Sequence, residues 1–170
     1  MITYNGKVSP LRRNEQMLTH ETTPIDMSWM TAIKRKRLSA PIRYLIMIGA
    51  LQDAHTMLDY GCGRGWDADN LGMDKYDPHW FDDETCFTKT YDVITCTYVL
   101  NTIPLGDKRD SVVRRILSML NVGGVAYITV RRDIKNVGFT KRGTYQCNAF
   151  VPNAELIRET SAFAIYKITK

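Results

Sequence analysis

At 170 residues the chain has room for one domain with a sizeable core and little room for two. Its 44% hydrophobic and 24% charged residues suit a globular fold, and no run of 18 apolar residues offers a membrane span. The net charge of +5 divides into +5 over residues 1–50, −7 over 51–110 and +7 over 111–170. Two basic ends around an acidic middle would attract a polyanion if the fold brings them together, and are otherwise ordinary solvated cations.

The start, Met1 to Lys7, lacks the apolar centre of a signal peptide, which points to a cytoplasmic protein. The four cysteines, Cys62, Cys86, Cys96 and Cys147, form no Cys-x-x-Cys pair, and no histidine spacing suits zinc. Free thiols and no metal are expected.

Residues 1–28 show no sustained period and read as an N-terminal arm ahead of a domain over 29–170. Trp29, Met30, Ala32 and Ile33 suit a short helix. Lys34-Arg35-Lys36-Arg37 follows, either a solvated face or a phosphate-binding edge. Ser39 as cap and Pro41 in the first turn open an apolar helix running to about Gln52. A strand is expected at about 56–60, and a helix of two turns at most over Trp66–Leu71. A second strand ends near Asp77, where Pro78 stops it. Trp80 beyond it either stacks on a ligand's base or closes the core. Residues 82–90 read as loop, with at most one short strand.

Tyr91 to Val99 is the clearest strand, its nearly continuous apolar run suiting a buried parallel position. A helix over Asp110–Leu120 ends at Asn121-Val122-Gly123-Gly124, and Val125–Val130 is a further buried strand. Pro152–Thr160 reads as a last helix and Ala162–Thr169 as a last strand. The alternation predicts an α/β fold, a three-layer sandwich with a mainly parallel, Rossmann-like sheet in one minimal domain.

The chemistry centres on Leu58-Asp59-Tyr60-Gly61-Cys62-Gly63-Arg64-Gly65. Glycines at alternate positions let a chain leave a strand and bring its backbone against a ligand. Asp77, sixteen residues after Gly61, is placed to hold two ribose hydroxyls. The spacing differs from the Gly-x-Gly-x-x-Gly of a pyrophosphate-binding turn, and no Gly-x-x-x-x-Gly-Lys occurs, which argues against nicotinamide, flavin and P-loop sites.

Asp-x-Gly-x-Gly-x-Gly after a strand resembles the nucleoside-binding loop of class I S-adenosylmethionine methyltransferases. That resemblance implies S-adenosylmethionine as cofactor, held by Asp59, Tyr60, Gly61, Cys62, Gly63, Gly65, Asp77 and Pro78. Cys96 would border the same edge, although it also reads as a packed strand thiol. No proline precedes a cysteine, so the Pro-Cys nucleophile of cytosine-carbon methylases is missing. The Asp/Asn/Ser-Pro-Pro-Tyr/Phe of amino-methylating DNA enzymes is replaced by Tyr98-Val99-Leu100-Asn101.

A closer resemblance runs through Thr31-Ala32-Ile33, Arg37, Ser39 and Pro41, the glycine loop, Tyr76-Asp77-Pro78-His79, Tyr98-Val99-Leu100-Asn101 and Arg142-Gly143-Thr144-Tyr145-Gln146. In this order they resemble methyltransferases associated with DNA phosphorothioation systems and their small phage relatives. This resemblance implies a methyltransferase of phage or bacterial type, and the basic ends with the short chain favour a nucleic-acid or nucleotide acceptor. Tyr98, Asn101 and Gln146 are the candidates for meeting that acceptor, although Asn101 would equally cap the next segment. Lys34, Arg35, Arg37, Arg131, Arg132, Arg142 and Thr144 are the candidates for binding the substrate. A small-molecule acceptor, or cofactor binding without transfer, are the alternatives.

Overall fold

The structure, a computed structural model, describes residues 27–170. The arm expected over 1–28 lies outside the described residues except for Met27 and Ser28. Eight strands and three α-helices follow: α1 (Ala40–Met47), β1 (Met57–Tyr60), α2 (Trp66–Leu71), β2 (Asp74–Tyr76), β3 (Tyr91–Thr97), α3 (Gly106–Ser118), β4 (Leu120–Arg131), β5 (Gly138–Phe139), β6 (Tyr145–Gln146), β7 (Glu155–Glu159) and β8 (Phe163–Thr169). Short 3₁₀ turns occupy Ser28–Thr31, Glu84–Thr88 and Leu100–Thr102.

Six strands form one sheet in the order β2-β1-β3-β4-β8-β7. β2, β1, β3 and β4 run parallel, and β8 enters antiparallel between β4 and β7. Strand residues alternate between two cores. Leu58, Ile94, Ala126 and Ile128 face α3 through Ile116, whereas Val93, Tyr127 and Ile165 face α1 and α2 through Ile42, Leu45 and Ala68. Helices on both faces make the three-layer sandwich that the strand–helix alternation predicts.

α1 begins as its sequence dictates: Ser39 Oγ accepts from Ile42 N–H at 3.4 Å, with Pro41 in the first turn. The buried Asp67 of α2 accepts from Ser39 N–H at 2.9 Å, which locks the two helix starts together. α1 stops at Met47 rather than near Gln52, because Gly49, at φ +73°, turns the chain back. Residues 84–88 form a 3₁₀ turn, started by Asp83 accepting from Thr85 N–H at 2.9 Å, where the sequence allowed a short strand.

Pro152–Thr160 is not a helix. Glu155–Glu159 is the edge strand β7, paired with β8 through a register shift between Leu156 and Arg158. Glu-Leu-Ile-Arg-Glu has no strict alternation, so its pattern reads as a helical turn. Pairing with β8 and packing of Ile157 against the α1 face prevail. β4 is also longer than expected, starting at Leu120 and running through Gly123 and Gly124. A Cβ at Gly124 would lie 2.9 Å from Tyr91 O, so this pair of glycines lets the strand close on β3 rather than ending the helix.

Candidate active site

The parallel strands bring the ends of β1, β3 and β4 to one sheet edge, where ligands of such folds lie. The loop leaving β1 is shaped by its glycines. Gly61, Gly63 and Gly65 have φ of +76°, +55° and +75°, a region costly for other residues. A Cβ on Gly61 would sit 2.2 Å from Val99 Cγ2, so the backbone lies directly against the segment after β3. Gly61 and Cys62 N–H both donate to Tyr76 O, at 2.7 and 3.0 Å, which ties the loop to the end of β2.

Asp77 holds the same region together with its carboxylate. It accepts from Gly63 N–H at 2.9 Å, His79 N–H at 3.0 Å and Trp80 N–H at 3.1 Å. A carboxylate has about four acceptor positions, so one remains for a ligand hydroxyl rather than the two expected from the sequence. A cavity of about 440 Å³ opens here, bordered by Gly61–Arg64, Asp77–His79, Thr97–Val99, Arg131, Asp133 and Gln146. Its outer wall is the segment Ser28–Ile33. Trp29 stacks on His79 with ring centres 4.4 Å apart, and Ala32 Cβ lies 3.1 Å from where a Cβ on Gly63 would be. Arg64 lays its guanidinium 4.1 Å over the Trp80 ring.

Asp59 sits beneath the loop rather than in the cavity wall. It is buried, and Thr95 Oγ1 donates to its Oδ1 at 2.8 Å. Burial pushes its carboxyl up to about 7. Tyr60 turns into the core against Tyr76 and Phe87. Cys96 is fully buried in the same core, and burial raises its thiol. Cys62 and Pro78 line the cavity, and burial also raises the Cys62 thiol, which keeps it protonated and a poor nucleophile.

Of the residues expected to meet an acceptor, Tyr98 and Gln146 line the cavity. Tyr98 holds φ +63°, an uncommon value for a bulky residue, while its N–H donates to Thr129 O at 2.9 Å. Burial raises its phenol, so it stays a neutral donor. Asn101 does not reach the cavity. Fully buried, it donates to the carbonyls of Cys147 and Arg131 and accepts from Arg131 N–H at 2.7 Å. Cys147 N–H donates back to Asn101 O at 2.9 Å. Asn101 is thus a clamp joining the ends of β3 and β4 to the residue after Gln146.

The basic candidates are divided. Arg131 is tied to Asp133 through Nε and Nη2, at 2.8 and 3.0 Å, and Arg132 pairs with Glu159. Thr144 is buried, its hydroxyl 2.8 Å from that of Thr140, and Arg142 is exposed at the adjoining turn. Arg35 lines the cavity, whereas Lys34 is exposed outside it. Arg35 also borders a second hollow of about 420 Å³, shared with Lys36, Arg37 and Arg43. Among the described residues, none of these four cations forms an ion pair. Trp29, Arg64, His79 and Thr97 also border the cavity, although none is among the site residues expected from the sequence. Trp29 and His79 meet only through folding, and no spacing links them.

The methyltransferase-domain family profile matches residues 30–168. The chain belongs to that family. Among solved structures, this methyltransferase is similar to the Burkholderia thailandensis 1,6-didemethyltoxoflavin-N1-methyltransferase, a complex with 1,6-didemethyltoxoflavin and S-adenosylhomocysteine. The TM-score is 0.55 at 14% identity, over 77% of each chain. It is also similar to an O-methyltransferase family protein of Burkholderia thailandensis, at TM-score 0.51 and 10% identity, over 75% of this chain and 54% of that one. No curated protein sequence matches the chain.

S-adenosylmethionine fits the residues at this edge. Gly61 and Gly63 leave backbone bordering the cavity, and Asp77 keeps an acceptor position beside it, whereas Gly65, expected at the cofactor, lies outside the lining against Lys75 and Phe81. No helix among the described residues is long and apolar enough to cross a membrane. Among them, no group of three or more His, Cys, Asp or Glu is placed to hold a metal ion.

Proposed function

We propose that this methyltransferase acts on a nucleic acid or nucleotide, as expected of a phage or bacterial modification enzyme. The observation that carries this reading is the basic hollow of Arg35, Lys36, Arg37 and Arg43, cations that form no ion pair among the described residues. The hollow shares Ile33 and Arg35 with the cavity. An acceptor in the cavity would have its flanking phosphates against those cations, where charge neutralisation supplies much of the affinity. The acidic loop side and the basic hollow then serve different parts of the reaction.

The backbone of Gly61, Cys62 and Gly63, with Asp77 and Pro78, would hold S-adenosylmethionine. When bound, the cofactor supplies a methyl group activated by its sulfonium. The chain's own task is to hold the acceptor in line at about 3 Å and to keep water out. Gln146 offers a donor and an acceptor together, suited to a base edge, and Tyr98 offers a neutral hydroxyl. Asn101 serves as a positioning residue that fixes Arg131 and the base of the segment carrying Gln146.

The test supplies tritiated S-adenosylmethionine with DNA, RNA and small-molecule pools, followed by nuclease digestion. Label recovered in nucleotides supports the reading. Label confined to the small-molecule pool would contradict it and point to a small-molecule acceptor.

A further inference from the structure

β5 and β6 form a two-stranded ribbon separate from the main sheet. Its base is rigid. β6 runs from the turn into Gln146, and the next residue, Cys147, is held to the buried Asn101 by hydrogen bonds in both directions. Its turn is ordered by its own bonds, Thr140 N–H to Thr144 O at 2.8 Å and Gly143 N–H to Thr140 O at 2.9 Å. Its outer surface is neither a core face nor an ordinary polar loop. Phe139 is 55% exposed, and Tyr145 meets it edge-on with ring centres 5.3 Å apart. Lys141 and Arg142 are exposed at the turn, and residues 134–154 contain Lys135, Lys141 and Arg142 with no Asp or Glu.

We infer that this ribbon is a stacking platform for an unpaired base of single-stranded nucleic acid next to the nucleotide in the cavity. Phe139 takes the base face, and Lys141 and Arg142 take the adjoining phosphates. An exposed aromatic beside cations, without acids, is the combination by which single strands are held irrespective of sequence. Gln146 pairs with Gly138, the neighbour of Phe139, so a strand held on the ribbon passes beside the cavity that Gln146 lines. The positive charge disfavours a cationic partner, and the exposure of Phe139 favours an unpaired strand over a closed duplex. This inference rests on the nucleic-acid reading of the acceptor.

The experiment compares, by fluorescence anisotropy, a single-stranded thymine oligonucleotide with an abasic oligonucleotide of equal length. Wild type, Phe139→Ala and Phe139→Trp are tested, each checked for its fold by circular dichroism. The wild type and Phe139→Trp should bind the base-bearing strand about ten-fold or more tightly than the abasic one, in keeping with stacking on one aromatic ring. Phe139→Ala should lose most of that preference. Its retention in Phe139→Ala, or its absence from a wild type that binds both strands, would overturn the ribbon's role while leaving the nucleic-acid reading intact. A wild type that binds neither strand at low salt would overturn the nucleic-acid reading, and this inference with it. A dimer that Phe139→Ala converts to monomer, with the base preference unchanged, would make the ribbon an interface between copies and overturn the inference.

Discussion

The two sides of the cleft are built differently. The side proposed for the cofactor is backbone: the left-handed Gly61 and Gly63, a Cβ position 2.2 Å from Val99, and a carboxylate receiving three main-chain N–H groups. The side proposed for the acceptor is made of side chains. Tyr98, Gln146 and Arg35 line the cleft, and the cations of the adjoining hollow and the ribbon with its exposed Phe139 lie beyond it. A backbone-built surface tolerates almost no substitution, because each residue type is dictated by a dihedral or a close approach. A side-chain-built surface is adjustable, and changes to it should alter what is bound more than whether the chain folds.

The sharpest way to break this contrast is at Gly61. In Gly61→Ala the left-handed conformation costs about 1–2 kcal/mol. Crowding against Val99 adds about 1–3 kcal/mol. Chemical denaturation should show the loss, and cofactor affinity should fall with it. Stability equal to wild type would show that the loop is not held against Val99.

Asp59 extends the comparison to pH. Its folded pKa, raised by burial to about 7 against an ordinary 3.8, means that the folded state binds the extra proton between those values. Stability of the ligand-free protein should therefore fall as pH rises from about 4 to about 7, and level off above that. Asp59→Asn should remove this slope. Thermal melts across the range check it, and parallel curves for the two proteins would contradict it.

Asn101→Ala leaves the Arg131 N–H and the Cys147 carbonyl buried without their partner. The cost should be about 1–3 kcal/mol per group. S-adenosylmethionine should still bind, while methyl transfer falls because the segment carrying Gln146 loosens. Unchanged turnover in a destabilised variant would reduce Asn101 to a structural clamp.

The mildest effect is expected on the outer cations. Lys36, Arg37 and Arg43 replaced together by alanine should leave stability unchanged. They should flatten the salt dependence of single-strand binding by about 2 log units per log salt, at roughly 0.7 for each phosphate no longer neutralised. Anisotropy titrations at several salt concentrations measure the slope, and an unaltered slope would remove the hollow from the binding path.

The same contrast explains what is legible in the sequence. Gly61, Gly63, Gly65 and Asp77 stand out in one dimension because backbone geometry restricts residue type locally, and β1, α2 and β3 follow from short-range pattern. β7 reads as a helix because Glu-Leu-Ile-Arg-Glu carries no decisive period, and its state is set by a partner strand rather than by its own residues. Asn101 cannot be assigned from sequence, since its partners Arg131 and Cys147 lie 30 and 46 residues away. The basic runs are visible as charge, but the sequence does not show that Arg131 and Arg132 are already paired with Asp133 and Glu159.

Whether the glycine loop and Asp77 hold S-adenosylmethionine is measured by isothermal titration calorimetry. Wild type should bind S-adenosylmethionine and its demethylated product, S-adenosylhomocysteine. Asp77→Ala, confirmed as folded, should bind each more weakly by about 1.5–3 kcal/mol, as expected when a charge-assisted hydrogen bond is removed. No heat of binding with the wild type, or equal affinity in the folded variant, would contradict the account.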